Sequence, residues 1–314
     1  MSGNLEPRSI VYKTVGELEI SLDIYLPPSA QSVPVLLWFH GGGLLQGHRS
    51  GVAPHLKRSV EKYKHAVISA DYRLAPQATI DQIFEDVRDC VQFIQSTDGL
   101  SKHVGEEVLD TRKLAVSGSS AGGYLAFLAG LYCEPKPSVI LPIYPITDPL
   151  GYFFTNSQPM PLFKPPGKVD TSKKVTKEEL GPYLVKNAEA IANSAQKSSR
   201  SNFYYYMLDQ ANLAELLGFR TGKSAYSEPK NDRWRIAKSI QSHGLPPTYV
   251  VHGDVDRAVG IEQADEVVGV MVGLGLTVQY DRLQGADHLF DLDSGVGLDQ
   301  MYKFMHKHIA GSKL

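Results

Sequence analysis

Cysteine is nearly absent from this chain: 314 residues hold two, Cys90 and Cys133. One lies in a helix-like stretch and the other follows a second such stretch. A disulfide framework is therefore not expected, and a reducing compartment is the better reading. Two cysteines in unrelated contexts are also too few for a zinc site. An excess of either charge is missing as well. The 32 Lys and Arg nearly cancel the 34 Asp and Glu, leaving a formal net charge of −2. Nucleic acid or an anionic membrane as main partner would need a basic surface. No apolar run approaches the roughly 18 residues that span a bilayer. Residues 1–8 are polar and carry no apolar segment of the kind found in a secretory signal. Internal repeats and long low-complexity tracts are lacking too.

What is present has the composition of an ordinary globular chain, 42% hydrophobic and 21% charged. Ile10 to Thr14 reads as a strand. In the next stretch Leu18, Ile20, Leu22 and Ile24 alternate with other residues, the period of a half-buried strand. Gly16 supplies a turn between the two, so a hairpin is expected. Val33 to Phe39, VPVLLWF, is a continuous apolar run that suits a strand buried on both faces. Strands and helices then alternate. Strands are expected at Ala66 to Ala70, Leu114 to Val116, Val139 to Ile143, Thr248 to Val251 and Thr277 to Tyr280. Helices are expected at Ile80 to Ile94, Ala121 to Leu131, Ile261 to Val272 and Leu298 to Ile309. Such alternation implies an α/β fold: a mostly parallel central sheet with helices on both faces, and the opening hairpin antiparallel at one edge.

An interruption runs from about Thr147 to Asn231, rich in Pro, Lys and aromatic residues. Helical pieces are expected near Lys177 to Ala195 and Phe203 to Leu217. An insertion that leaves a strand's C-terminal end can cover the crevice there. Its aromatic groups, Tyr152 to Phe154 and Phe203 to Tyr206, need something to pack against. The division is thus a core of residues 1–146 and 232–314, with 147–231 as an inserted helical cap.

Gly118-Ser119-Ser120-Ala121-Gly122 matches G-x-S-x-G directly after a strand and at the start of a helix, the context that gives the match meaning. A nucleophile on so sharp a turn needs tiny neighbours two residues away, so that strand and helix can approach. Only the frame centred on Ser120 has glycine on both sides. His40-Gly41-Gly42-Gly43 follows the apolar strand. A glycine run there frees backbone N–H groups to face a carbonyl oxygen. A phosphate loop is excluded because no Gly-Lys-Ser/Thr follows. His40 reads as a group that pins this loop by hydrogen bonding.

A serine hydroxyl is a poor nucleophile near neutral pH and needs a base. His288, in Gly285-Ala286-Asp287-His288 after the last strand, is the histidine that suits the order Ser, Asp, His; His243, His252, His306 and His308 do not. The acid should follow another strand, and Asp254 and Asp256 both do. Asp254 reads as a turn-former beside Gly253, and Asp256 as the residue that holds the imidazole's tautomer.

These motifs together resemble the hormone-sensitive-lipase-like branch of the α/β-hydrolase superfamily, the carboxylesterases with an HGGG loop. The resemblance takes in His40 to Gly43, Asp71-Tyr72-Arg73-Leu74-Ala75-Pro76, Gly118 to Gly123, His252 to Asp256 with Val259, and His288. It implies an oxyanion hole built from the N–H groups of Gly42, Gly43 and Ala121, with Asp256 at the acid position. It also implies hydrolysis of a small to medium hydrophobic ester or lactone through an acyl-enzyme, without cofactor or metal. Ser119 departs from the pattern, standing where the family most often has an acidic residue. The long N-terminal cap segment of many members is nearly absent. The sequence is also similar in tone to hydrolases of fungal specialised-metabolite pathways.

The final tripeptide, Ser312-Lys313-Leu314, is of the kind read by the peroxisomal import receptor, which makes that receptor an expected partner and the peroxisome an expected location. It motivates an acyl-CoA thioesterase as an alternative, with Lys164, Lys168, Lys173 and Lys174 available to CoA phosphates. An acyltransferase would share the same acyl-enzyme. A small-molecule receptor is the third reading; relatives of that kind have lost the base, whereas His288 is present.

Overall fold

Strands β1 (Arg8–Val15), β2 (Leu18–Tyr25), β3 (Val33–Phe39), β4 (Ala66–Ala70), β5 (Leu109–Ser119), β6 (Val139–Ile143), β7 (Thr248–Gly253) and β8 (Val278–Leu283) follow one another along the chain. In the computed structural model, which describes residues 6–158, 175–194, 198–220 and 228–309, they form one sheet in the order β1-β2-β4-β3-β5-β6-β7-β8. The first two strands pair antiparallel, and β2 joins β4 antiparallel. Every later pairing is parallel. The hairpin at the sheet edge is thus borne out. Residues 310–314, with Ser312, Lys313 and Leu314, lie outside the described residues, as do Lys164, Lys168, Lys173 and Lys174.

The helices are α1 (Pro54–Tyr63), α2 (Ile80–Gln95), α3 (Leu100–Val104), α4 (Ala121–Tyr132), α5 (Tyr152–Thr155), α6 (Lys177–Leu184), α7 (Phe203–Gln210), α8 (Leu213–Leu216), α9 (Ile236–His243), α10 (Glu262–Gly273) and α11 (Asp299–Ile309). Strand β3 shows why they cover both faces. Its side chains alternate across the sheet: Val35, Leu37 and Phe39 enter a core with α2, α4, α9 and α10. Leu36 and Trp38 enter a second core with α1 and α11. Helix α4 is apolar all round, and Ala121 to Leu131 are all buried, as a helix enclosed between a sheet and other helices must be.

Three elements differ from the sequence expectation. The strand expected at Leu114 to Val116 extends over Leu109–Ser119: Leu109 already pairs with Val33 of β3, and after a register shift the pairing resumes at Leu114 and runs to Gly118. The helix expected to reach Ala195 stops at Leu184. Beyond it the main chain turns and bends and is tied to the core: Leu74 N–H donates to Ile191 O at 2.9 Å, and Ser194 N–H to Gly47 O at 2.8 Å. Tertiary bonds here override the helix propensity of Ala188, Ala190 and Ala192. The helix expected from Phe203 to Leu217 breaks at Ala211, which takes the left-handed conformation and separates α7 from α8.

Both cysteines are buried free thiols, and burial pushes the Cys133 thiol up to about 12. Among the described residues no helix is long and apolar enough to cross a membrane.

Under α11 the buried His65 imidazole meets Ser59 Oγ at 3.0 Å and His306 Nε2 at 3.2 Å. Burial, with His306 adding to it, lowers its pKa to about 3. A histidine held neutral in the fold binds its proton more readily once unfolded. Its contribution is therefore complete above about pH 6.5 and is lost progressively between there and about pH 3, by at most about 1.4 kcal/mol per pH unit. The urea midpoint should fall between pH 7 and pH 5, and His65→Leu should flatten that slope. An equal slope in the variant would show that other groups govern acid sensitivity.

Candidate active site

Parallel strands deliver their C-terminal ends to one edge of the sheet, and each motif hangs from such an end. Ser120 closes β5 and caps α4 with φ 58° and ψ −117°, a conformation few non-glycine residues adopt. Three bonds hold it there: its N–H donates to Ile143 O at 2.9 Å, and its carbonyl accepts from the N–H groups of Tyr124 and Ile146, each at 3.2 Å. The glycines explain themselves by contact. A Cβ on Gly122 would lie 1.9 Å from Phe39 O, and one on Gly118 would lie 2.2 Å from Gly122 C. A side chain at Gly122 would push helix α4 away from strand β3, and one at Gly118 would push α4 away from β5.

The loop after β3 lies directly on this elbow. A Cβ on Gly41 would come 3.2 Å from Ser120 Cβ. Gly42 and Gly43 have φ of 103° and 69°, and the Gly42 carbonyl turns away to accept from Leu45 and Gln46 N–H. His40 pins the loop as expected. Its Nδ1 sits 2.9 Å from Gly41 O, and its ring stacks on Tyr72 at 4.3 Å. Burial lowers its pKa, against the pull of Asp71.

Asp256 lies after β7 and His288 after β8, and His288 Nδ1 and Asp256 Oδ2 are 2.7 Å apart. Asp256 Oδ1 accepts from the N–H groups of Ala258 and Val259, each at 2.9 Å. A second imidazole, His252 Nε2, stands 3.2 Å from Asp256 Oδ2 and 3.0 Å from Val259 O. Burial disfavours the ionised carboxyl, but the hydrogen bonds from His252 and His288 outweigh it and hold its pKa well below the usual carboxylate range. Asp254 does form the neighbouring turn, accepting from Gly285 N–H at 2.6 Å.

Ser120 and His288 line one cavity of about 410 Å³, a size that suits a small organic molecule. Gly41 and Gly42 form part of its wall. The segment between β6 and β7 supplies Ser194, Ser201, Tyr204 and Tyr205. Tyr204 lies so close over Gly43 that a Cβ there would approach its ring to 2.4 Å, and its hydroxyl donates to Ala258 O at 2.7 Å. It thereby bridges the glycine loop and the loop of Asp256. The buried Arg200 guanidinium donates to Leu45 O at 2.7 Å and Ala75 O at 2.8 Å, tying the same segment to the glycine loop. At the two ends of the segment, Arg235 Nη2 donates to Asp148 Oδ2 at 2.6 Å.

Three more groups at this site carry little signal in the sequence. His252 does not suit the order Ser, Asp, His, and Tyr144 and Asp291 belong to no motif. Tyr144, at the end of β6, has its ring centroid 4.4 Å from that of His288, and its hydroxyl donates to Asp291. Asp291 also accepts from Ser119 Oγ at 3.3 Å and meets His55 Nε2 at 3.4 Å. A carboxylate thus reaches position 119 from another loop, where the sequence has serine. The departure from the acidic pattern at Ser119 was the one signal available.

The BD-FAE family matches residues 22–157, a stretch that includes the glycine loop and the elbow. Among solved structures, a Staphylococcus aureus protein of unknown function superposes with TM-score 0.72 at 16% identity, covering 96% of this chain and 99% of that one. An α/β-hydrolase superfamily protein from Enterococcus faecalis gives 0.67 at 18% identity, over 98% and 99%. The Pyrobaculum calidifontis esterase gives 0.64 at 18%, over 97% and 85%. Two fungal relatives are non-reducing polyketide synthases. Preu6 of Preussia isomera is 25% identical over 91% of this chain, and ascC of Acremonium egyptiacum is 27% identical over 95%. The chain spans only 14% and 15% of their lengths.

Proposed function

We propose, from the α/β-hydrolase fold of this chain and its likeness in motifs to the hormone-sensitive-lipase-like branch, a serine ester hydrolase that works through an acyl-enzyme. Ser120 is the nucleophile, His288 the base and Asp256 the acid. The observation that carries the reading is the 2.7 Å bond between His288 Nδ1 and Asp256 Oδ2, with that imidazole in the same cavity wall as Ser120. Nδ1 holds its proton toward the carboxylate, which leaves Nε2 to take the serine proton. As the hydroxyl attacks a carbonyl carbon, the N–H groups of Gly42, Gly43 and Ala121 receive the oxyanion. His288 then protonates the leaving alcohol, and the same imidazole activates water to release the acid. The insertion over residues 147–231 acts as the cap that shapes the acyl site.

A second reading keeps the chemistry and changes the acyl group. Likeness to a stretch of non-reducing polyketide synthases favours an acyl group of polyketide type, with a thioester or an alcohol acceptor as variants of the same acyl-enzyme. Comparing kcat/KM on p-nitrophenyl esters and on acyl-CoA substrates separates the two. The shared mechanism is tested by a fluorophosphonate probe. It should label the protein once, on Ser120, and His288→Ala should slow labelling strongly. Labelling elsewhere, or none, would favour a receptor that keeps the pocket without the chemistry.

A further inference from the structure

The wall of the same cavity includes a second buried carboxylate, Asp291, that the proposed reaction does not use. Asp291 is inaccessible to solvent and lies three residues beyond His288 in the same loop. Its neighbours come from three other elements. Ser119 Oγ, from the end of β5, donates to Oδ2 at 3.3 Å. Tyr144, beyond β6, donates its hydroxyl to Oδ1. His55 of α1 stands 3.4 Å from Oδ2 and is held in turn by the Tyr302 hydroxyl of α11 at 2.7 Å. A buried carboxylate persists only where several donors replace its lost water, so this one binds its neighbours firmly to the loop of residue 288.

Two consequences follow for the reaction. Ser119 precedes Ser120 in the chain, so Asp291 joins the nucleophile's elbow to the loop that carries the base. It also holds the Tyr144 phenol, whose ring centroid is 4.4 Å from that of His288. A tyrosine ring at that distance stabilises a cation beside it, and in the proposed reaction His288 gains positive charge as it takes the serine proton. We propose that Asp291 is a positioning residue for acyl transfer, one that fixes His288 relative to Ser120 and holds the Tyr144 ring against the imidazole. This rests on the assignment of Ser120 and His288 above.

The test uses Asp291→Asn and Tyr144→Phe in the full chain, with p-nitrophenyl acetate as substrate. Active sites are counted by fluorophosphonate titration, so that misfolded protein does not enter kcat. Because misplacement of reacting groups by about 1 Å costs on the order of 100-fold, Asp291→Asn should lower kcat per titrated site by about 10- to 100-fold, with KM within about threefold of the parent. Tyr144→Phe, which keeps the ring and removes the bond to Asp291, should lower kcat in the same way by a smaller factor. It also carries the test alone if Asp291→Asn does not fold. Parent-like kcat per titrated site in the folded variants would overturn the proposal, as would a loss that appears only in KM. That failure differs from failure of the hydrolase reading, in which the parent protein itself would show no labelling of Ser120.

Discussion

Ser120→Ala should abolish hydrolysis of p-nitrophenyl acetate, with kcat lower by on the order of 10⁵- to 10⁶-fold. The only atom lost is the one that forms the acyl bond. Any turnover left comes from the oxyanion donors and substrate binding, which act alone with water as nucleophile. The fold should be unaffected, since the bonds that hold this residue come from its main chain: N–H to Ile143 O, and carbonyl to Tyr124 and Ile146 N–H. The measurement is steady-state turnover together with the thermal midpoint. A variant that melts with the parent yet keeps more than about a hundredth of its activity would mean that another residue attacks.

Asp256→Asn should cost about 10⁴-fold in kcat while leaving KM nearly unchanged. The size of the effect follows from which oxygen does what. Oδ1 takes the N–H groups of Ala258 and Val259, and Oδ2 faces His288 Nδ1 and His252 Nε2. In the variant, the amide oxygen can keep the two backbone bonds, which turns the amide NH₂ toward His288. Nδ1 must then accept, the imidazole carries its proton on Nε2, and it no longer takes one from Ser120. The geometry survives and the tautomer is wrong. If Asp256→Asn retained most of its kcat, Asp254 would have to be reconsidered, although that side chain already accepts from Gly285 N–H.

Much of this architecture could be read from residue patterns. Strands β3, β4 and β6 fall on their expected limits because a strand buried on both faces is an apolar run with sharp ends. The elbow and the glycine loop were readable because their glycines answer a steric demand, visible in the 1.9 Å approach of a Gly122 Cβ to Phe39 O. Asp256 and His288 followed from the order of strands. Other parts were not readable. In α1 only Leu56 and Val60 mark the buried apolar stripe, beside the buried polar His55 and Ser59, too little for a periodic signal. The chain after Leu184 reads as helical because propensity is local, while the bonds that tie it down in a non-helical path run to Leu74 and Gly47. Asp291 and Tyr144 carry no signal for a related reason. Each is a single residue whose partner lies far along the chain, and no spacing rule brings His55, Ser119, Tyr144 and Asp291 together before the sheet is assembled.

On the proposed reading, the described residues between β6 and β7 that line the cavity bear on what the site accepts. Tyr204 covers Gly43 and reaches Ala258, and Arg200 fastens the same segment to Leu45 and Ala75. Loop and cap therefore share one frame, and a change in the cap should be felt first in substrate preference.

The proposed mechanism requires a covalent bond between an acyl group and the hydroxyl oxygen of Ser120. Acid quenching during turnover of p-nitrophenyl acetate, followed by intact-mass and peptide analysis, observes that bond directly. The expected result is a single acetyl adduct on the peptide containing Ser120, accumulating with the first equivalent of p-nitrophenol. Turnover at the parent rate with Ser120 unmodified, or with the adduct on a different residue, would contradict it.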